Sequence, residues 1–307
     1  MLTYLTPVRP KAAPPFYGSF KRKDKVMNEN RFVRILKQAK KEKKAIGAFN
    51  FFNYISANAV IKAAEECGSS VILQVSVPTV HFYGVETLMD FVTPLIRGSS
   101  STVALHLDHC KDPELAKECI RAGWDAVMMD YSALPLEENI RKTAEIVEYA
   151  HHYGVAVEGE VGVISGVEDD ISHTVSVTAD ALETKRFIFD TAVDAIAPAI
   201  GTSHGLYRGA PSLNYELVRE LGQGECPLVI HGGTGLAEDT FRRLVQLGAA
   251  KINISTALKL AYRDSIQNMD VKTHFTPLEA DQAFGDAIRQ VAVRNIQIFA
   301  GEERTVT

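Results

Sequence analysis

Apolar residues in this chain follow two spacings that take turns. Phe32, Ile35, Leu36 and Ala39 recur at the interval of one helix face. A short unbroken apolar run at 45–50 follows at once, and the exchange repeats toward the C-terminus. Runs at 45–50, 71–75, 103–107, 126–129, 155–160, 195–200, 228–230 and 251–254 predict strands. Helical spacing predicts helices at about 56–67, 86–97, 113–122, 136–153, 179–191, 213–221, 238–247 and 256–269. Gly68, Gly123, Gly154 and Gly248 follow four of these helices, where a left-handed C-cap fits.

Strands that are apolar on both faces belong to a parallel sheet covered on both sides. Eight of them, each followed by a helix, predict an α/β fold of the (β/α)8 TIM-barrel type. An extra helix precedes the first strand and a helical segment ends the chain. A doubly wound open sheet is the structural rival, and no GxGxxG follows the first strand to favour it. Residues 1–27 stand apart, with Pro7, Pro10, Pro14, Pro15 and the basic run Lys21-Arg22-Lys23, but no apolar signal core. They are read as a mobile N-terminal extension, with a partner-binding arm as the alternative. Residues 28–307 are read as a single barrel domain.

At 307 residues and 46% hydrophobic content, the chain can bury one large core. A net charge of -5 offers no basic footprint, so nucleic acid is not expected as a partner. No apolar run reaches the roughly 18 residues of a membrane span, so a membrane is not expected either. Cys67, Cys110, Cys119 and Cys226 show neither metal-site nor disulfide-framework spacing and read as reduced thiols of a cytoplasmic protein.

The strands carry their polar residues at one end. Asn50, Ser76, Asp108 with His109, Asp130 with Ser132, Glu158 with Glu160, His204, His231, and Asn253 with Ser255 and Thr256 all end or follow apolar runs. In these barrels, sites are built at the C-terminal strand ends. His109, His204 and His231, delivered from three such ends, can hold Zn²⁺ with an open coordination position. Asp108, beside the first of them, is placed to move a proton next to the metal. Asp130 and Glu160 offer hard oxygens for a second ion or for a resting position of the first. Glu158 shares the strand face of Glu160, with bonds to neighbouring backbone as its alternative use. The other histidines, His81, His106, His151, His152, His173 and His274, are read as hydrogen-bonded or surface imidazoles. His106 alternates with Asp108 and so lies a layer deeper, as a packed, satisfied imidazole or a support for the site.

Residues 161–179 contain glycine and few helix signals, and read as a mobile, lid-like loop. Glu168 within it is a candidate second acid or base, against the plainer reading of a solvated acidic loop. Gly232, Gly233 and Thr234 follow the seventh strand, and Asn253, Ser255 and Thr256 the eighth. Barrels commonly bind phosphate there, on backbone N–H groups and a helix N-terminus.

Several motifs act together: Gly47-Ala48-Phe49-Asn50, Leu105-His106-Leu107-Asp108-His109, Leu134-Pro135-Leu136-Glu137-Glu138-Asn139, Val157-Glu158-Gly159-Glu160-Val161-Gly162, Gly166-Val167-Glu168-Asp169, Gly201-Thr202-Ser203-His204-Gly205-Leu206-Tyr207, His231-Gly232-Gly233-Thr234-Gly235 and Lys251-Ile252-Asn253-Ile254. In order and spacing, from about Asn30 to Arg263, they resemble the class II, zinc-dependent fructose-bisphosphate/tagatose-bisphosphate aldolase family. The resemblance implies zinc on His109, His204 and His231. It makes Asp108 the acid/base on the hydroxyl at the bond being cleaved and Glu168 the handler of the proton on the enolate carbon. It sets Gly205, Gly233, Thr234, Asn253 and Thr256 around the phosphate of dihydroxyacetone phosphate, with Asn50, Ser76, Arg208, Gly232 and Ser255 as further substrate contacts. It also implies a monovalent cation (Na⁺ or K⁺) near that phosphate, a homodimer or homotetramer, and a phosphorylated ketose as substrate. Cleavage in this family leaves a zinc-stabilised enediolate and needs no Schiff-base lysine, so Lys251 and Lys259 receive no covalent role.

The chain departs from the family on the aldehyde half. Asp130-Tyr131-Ser132-Ala133 stands where the family usually reads Asp-Gly-Ser-His, Ser255 stands where bisphosphate aldolases carry Asp or Ala, and Ser76-Val77-Pro78-Thr79 replaces Ser-Glu-Gly-Ala. Phe275-Thr276-Pro277-Leu278-Glu279 lacks the Arg that reaches the distal phosphate, leaving Arg208 and Arg304 as candidates to compensate. A diverged aldehyde specificity is therefore expected. The alternatives are a metal-dependent hydrolase on the same barrel and a catalytically silent sugar-phosphate-binding or scaffolding relative.

Overall fold

Asn30 starts the fold by doing two things at once. Its side-chain oxygen accepts from the Val33 N–H at 3.2 Å and caps α1 (Arg31–Lys41). Its Nδ2 donates to the Asp125 and Gly154 carbonyls at 2.8 and 2.9 Å, which ties the helix across the chain. The apolar face of α1 (Phe32, Val33, Ile35, Leu36, Ala39) is buried against Ile46, Ile72, Ala104, Ala126, Ala156, Ala195 and Val229, mostly small residues. That face plugs one end of a barrel.

The structure, a computed structural model, describes residues 30–168, 171–173, 176–207, 209–267 and 276–302. The predicted extension at 1–27, together with Arg208, His274 and Arg304, lies outside them. After α1 come β1 (Ile46–Asn50), α2 (Tyr54–Glu66), β2 (Val71–Ser76), α3 (Val77–Tyr83), α4 (Val85–Gly98), β3 (Val103–Cys110), α5 (Pro113–Ala122), β4 (Ala126–Met129), α6 (Leu136–His152) and β5 (Ala156–Val161). There follow β6 (Ser165–Glu168), β7 (Ile171–His173), α7 (Ala181–Thr191), β8 (Ala195–Pro198), β9 (Ser203–His204), α8 (Tyr215–Gly222), β10 (Leu228–Ile230), α9 (Glu238–Gln246), β11 (Ala249–Ile254), α10 (Thr256–Gln267) and α11 (Pro277–Phe299). Eight strands close in the order β1-β11-β10-β8-β5-β4-β3-β2, every pair parallel. This is the expected (β/α)8 barrel with helices before and after it. The four glycines expected as C-caps, Gly68, Gly123, Gly154 and Gly248, all have positive φ.

Three departures from the sequence reading matter. Residues 161–179 are not simply a loop: β6 pairs antiparallel with β7 and parallel with β9, forming a small sheet beside the barrel mouth. The Ser76-Val77-Pro78-Thr79 stretch leads into α3, a helix that apolar spacing did not signal. Finally, β3 continues to Cys110, three residues past its expected end.

The C-terminal α11 is capped by Thr276 and started by Pro277. Its last residues return to the first strand, where Phe299 accepts at its carbonyl from the Ala45 N–H at 3.0 Å. No helix among the described residues is long and apolar enough to cross a membrane. None of the four cysteines is in a disulfide.

Candidate metal centre and active site

Strand alternation fixes which residues can meet inside the barrel. Asn50, Ser76, Asp108, Glu160 and Asn253 take inward positions at the ends of their strands, Asp130 follows β4 directly, and all are buried. His231 follows β10 directly, and His204 ends β9 in the small sheet. The ligand atoms of His109, His204 and His231 lie within 4.8 Å of one another. Nε2 of His109 is 2.8 Å from Nδ1 of His231, and the His109 and His204 ring centroids are 5.0 Å apart.

Asp108 and His109 are neighbours in sequence, and an unbroken strand would send them to opposite faces. Two features resolve the conflict. The register between β3 and β4 shifts between Leu107 and Cys110, and His109 adopts φ 45°, a left-handed conformation rare for a residue with a side chain. Strain of this kind persists where the surroundings hold it. Here it brings both side chains to the mouth, with Asp108 Oδ1 4.0 Å from His109 Nε2.

Asp108 is held by its neighbours. Asn50 donates from Nδ2 to Asp108 Oδ2 at 2.8 Å and accepts at Oδ1 from Gln74 Nε2 at 3.0 Å. Asn50, expected as a substrate contact, thus also positions the candidate base. Gln74 was not singled out from the sequence, though one amide in the run Val-Ile-Leu-Gln-Val-Ser was the signal. Ser76 pairs in register with Asp108 and shares a hydrogen bond of 3.2 Å with Thr79.

A second donor set shares His109, whose Nδ1 is 3.1 Å from Asp130 Oδ2 and 3.8 Å from Glu160 Oε2. Ser132 donates from Oγ to Asp130 Oδ1 at 2.7 Å. The charges divide accordingly. Burial opposes protonation of His109, but Asp108, Asp130 and Glu160 outweigh it and carry its pKa up to about 10. Asp130 stays far below the usual carboxylate range: burial opposes this, but its bond to His109 prevails. Glu160 is pushed well up by burial and by the charge of Asp130. Burial holds His204 and His231 well below the ordinary imidazole value, so their lone pairs are available.

These residues fit a zinc ion. The three imidazoles converge, and Asp108 Oδ1 and Glu160 Oε2 are buried carboxylate oxygens with no hydrogen-bond partner among the described residues. Three histidines with an open side are a donor set of catalytic type.

Beside this centre, backbone closes in. A Cβ on Gly232, at φ 68°, would lie 2.5 Å from the Ser203 carbonyl, and one on Gly233 would lie 2.7 Å from that of Asn253. Tyr207 binds the two loops by donating to the Gly232 carbonyl at 2.7 Å. Thr234 Oγ1 accepts from the Ala257 N–H at 3.2 Å, joining the β10 loop to the first turn of α10. Asn253 Oδ1 and Ser255 Oγ at the end of β11, and Thr202 Oγ1 just before β9, are buried with no hydrogen-bond partner among the described residues. Gly205, also with positive φ, follows His204 directly, and Thr256 opens α10.

Several expectations change. Tyr131 does not face the site: it is packed in the outer core, with Lys142 of α6 5.2 Å from its ring centroid. Glu158 bonds not to backbone but to His231 and Lys251. His106 is buried and stacked on Phe32, yet neither ring nitrogen has a hydrogen bond among the described residues, so it is packed but not satisfied there. The backbone of Glu168 lies in β6, while its side chain falls outside the described residues.

The geometry agrees with the comparisons. The family profile for fructose-bisphosphate aldolase class-II matches residues 30–304. The fructose-bisphosphate aldolase of Geobacillus stearothermophilus is 37% identical over 273 residues, covering 86% of this chain and 94% of that one. That of Staphylococcus aureus is 35% identical over 276 residues, covering 88% and 96%. The solved structure of the YdjI aldolase from Escherichia coli K12 superposes with TM-score 0.79 at 29% identity, covering 87% of this chain and 96% of that one. With a family match across the whole barrel, the chain belongs to the class II fructose-bisphosphate aldolase family and is an aldolase lyase.

Proposed function

We propose that this aldolase is zinc-dependent and reversibly cleaves a phosphorylated ketose to dihydroxyacetone phosphate and an aldehyde. The observation that carries the reading is the convergence of His109, His204 and His231 beside an oriented Asp108. When bound, Zn²⁺ supplies a Lewis acid to the ketone and adjacent hydroxyl oxygens of the substrate, where negative charge gathers in aldol cleavage. Asp108 takes the proton from the hydroxyl at the breaking bond, and Asn50 holds its other oxygen in place. Asp130 and Glu160, sharing His109, serve as the second or resting position of the metal. Glu168 handles the proton on the carbon of the ketone fragment.

The phosphate of the ketone fragment sits by Gly205, Gly232, Gly233, Thr234, Asn253, Ser255 and Thr256. The loops there approach too closely for a side chain at Gly232, and Thr234 reaches α10, so backbone and helix N-terminus are available to an anion. The unbonded oxygens of Asn253, Ser255 and Thr202 suit a monovalent cation, Na⁺ or K⁺, beside that phosphate. The protein works in the cytoplasm as a homodimer or homotetramer.

Metal analysis with an aldehyde screen in the condensation direction tests this. About one zinc per chain and condensation of dihydroxyacetone phosphate with an aldehyde are expected. A zinc-free protein with full activity would overturn the reading.

Substrate choice follows from Ser255 and from the Arg-free start of α11; Tyr131, turned away from the site, contributes no contact. A missing Arg–phosphate contact costs about 1.5–3 kcal/mol, or roughly ten- to a hundredfold. Fructose 1,6-bisphosphate is therefore expected to be a poorer substrate than fructose 1-phosphate in kcat/KM. A clear preference for fructose or tagatose 1,6-bisphosphate would show that Arg208, Arg304 or another cation replaces the contact.

A further inference from the structure

Beneath the histidines lies a second polar layer that the cleavage step does not use. Glu158, Lys251 and His106 face inward from β5, β11 and β3, each with no exposed side-chain surface. Glu158 joins the two layers. Its Oε1 accepts from His231 Nε2 at 2.8 Å and its Oε2 from Lys251 Nζ at 2.7 Å, with His106 Nε2 3.5 Å from the same oxygen. Phe32 of α1 closes the layer from below, stacking on His106 with planes 4° apart and lying 6.0 Å from Lys251 Nζ.

A buried ion pair is a poor device for stability, since apolar residues of similar volume do as well or better. The register partners of the pair on the adjoining strands are indeed apolar: Ile46 and Val229 beside Lys251, and Ala195 beside Glu158. What the pair supplies, and an apolar filler would not, is an acceptor fixed in place. A neutral imidazole has one N–H, and an acceptor at Nε2 puts the proton there and leaves the lone pair on Nδ1. Nδ1 is the atom of His231 that faces His109. The ammonium pins the carboxylate and balances its charge, which keeps it from turning up to the metal as a competing ligand.

We infer that Glu158, anchored by Lys251, is the positioning residue that presents Nδ1 of His231 to the zinc. This rests on the zinc reading above, so the test separates the two. Two double variants of equal charge are compared by zinc competition with a chromophoric chelator. Glu158→Gln with Lys251→Met keeps an amide oxygen to accept from His231, whereas Glu158→Leu with Lys251→Met keeps volume and no acceptor. The Gln form is expected to hold zinc within about threefold of wild type and the Leu form about ten- to a hundredfold more weakly. A merely structural pair would leave the two variants equal, and equal affinities overturn the proposal. Imidazole ¹H–¹⁵N spectra of metal-free wild-type protein supply a second readout that needs no variant. A slowly exchanging Nε2–H on His231 is expected, and a proton on Nδ1 instead overturns the proposal even if the Leu form does not fold. Tight zinc binding by His204→Ala would refute the zinc reading itself, whatever the double variants do.

Discussion

The two ends of this barrel obey opposite rules. At the N-terminal end, alanines and aliphatic residues of seven strands meet the apolar face of α1 in an ordinary apolar core. At the C-terminal end, buried carboxylates and imidazoles crowd together, oxygens lack partners, and His109 holds a left-handed backbone. Each arrangement at the mouth costs stability. The closed end, with its ordinary packing, offsets that cost. Mutations at the mouth should therefore damage chemistry more than folding, and mutations at the plug the reverse.

The sharpest way to break this contrast is His204→Ala. It should remove bound zinc and lower kcat/KM by at least about a thousandfold, roughly 4 kcal/mol, with the metal-free protein still cooperatively folded. Metal analysis, steady-state kinetics and melting curves check it together. A variant that lost its fold along with its metal would put His204 in the stabilising half of the molecule.

Next is Asp108→Asn, which keeps the shape and the bond to Asn50 but removes the base. A fall of about 10²- to 10⁴-fold in kcat is expected, with zinc content and substrate affinity retained. Unchanged turnover would move the proton to another group.

At the opposite end, Leu36 of α1 is fully buried. Leu36→Ala should cost about 2–5 kcal/mol of unfolding free energy through the cavity it leaves. Its kcat at a temperature where the variant is folded should match wild type within about twofold. A large loss of kcat at full folding would mean that the plug tunes the chemistry directly.

The smallest effect concerns pH. Burial, reinforced by Lys251, depresses the His106 pKa well below its ordinary 6.5. The unfolded chain then binds a proton below about pH 6.5 that the folded chain refuses, so stability falls as pH falls through that range. The contribution approaches about 1.4 kcal/mol per pH unit. Metal-free His106→Asn should show a shallower loss of stability between pH 6.5 and 5 than metal-free wild type in urea titrations. Equal slopes would mean that His106 charges inside the fold.

Much of this contrast was legible in one dimension. Eight continuous apolar runs, each followed by helical spacing, pointed to a covered parallel sheet, and their number favoured the barrel over its open-sheet rival. Polar residues gathered at one end of each run marked the mouth, with the three histidines and Asp108 among them. What escaped depends on contacts between distant positions. Glu158 and Lys251 are 93 residues apart and meet only when β5 and β11 curve toward each other across the lumen. The pairing of β6 with β7 and β9 was hidden because Gly166 and its neighbours carry no strong strand signal. Tyr131 is a different kind of miss. Its neighbour Asp130 faces inward, so alternation alone should have turned the tyrosine outward.

The irregularity at His109 has a consequence for anyone who would move this chemistry to another scaffold. A regular ladder lets one of two consecutive residues look into a barrel, never both. Copying Asp and His onto the end of an idealised strand would therefore strand one of them among the outer helices. The transferable unit is the misregistered strand itself, with the partner strand that tolerates it. A designer who repairs the ladder will have removed the site while keeping every residue in it.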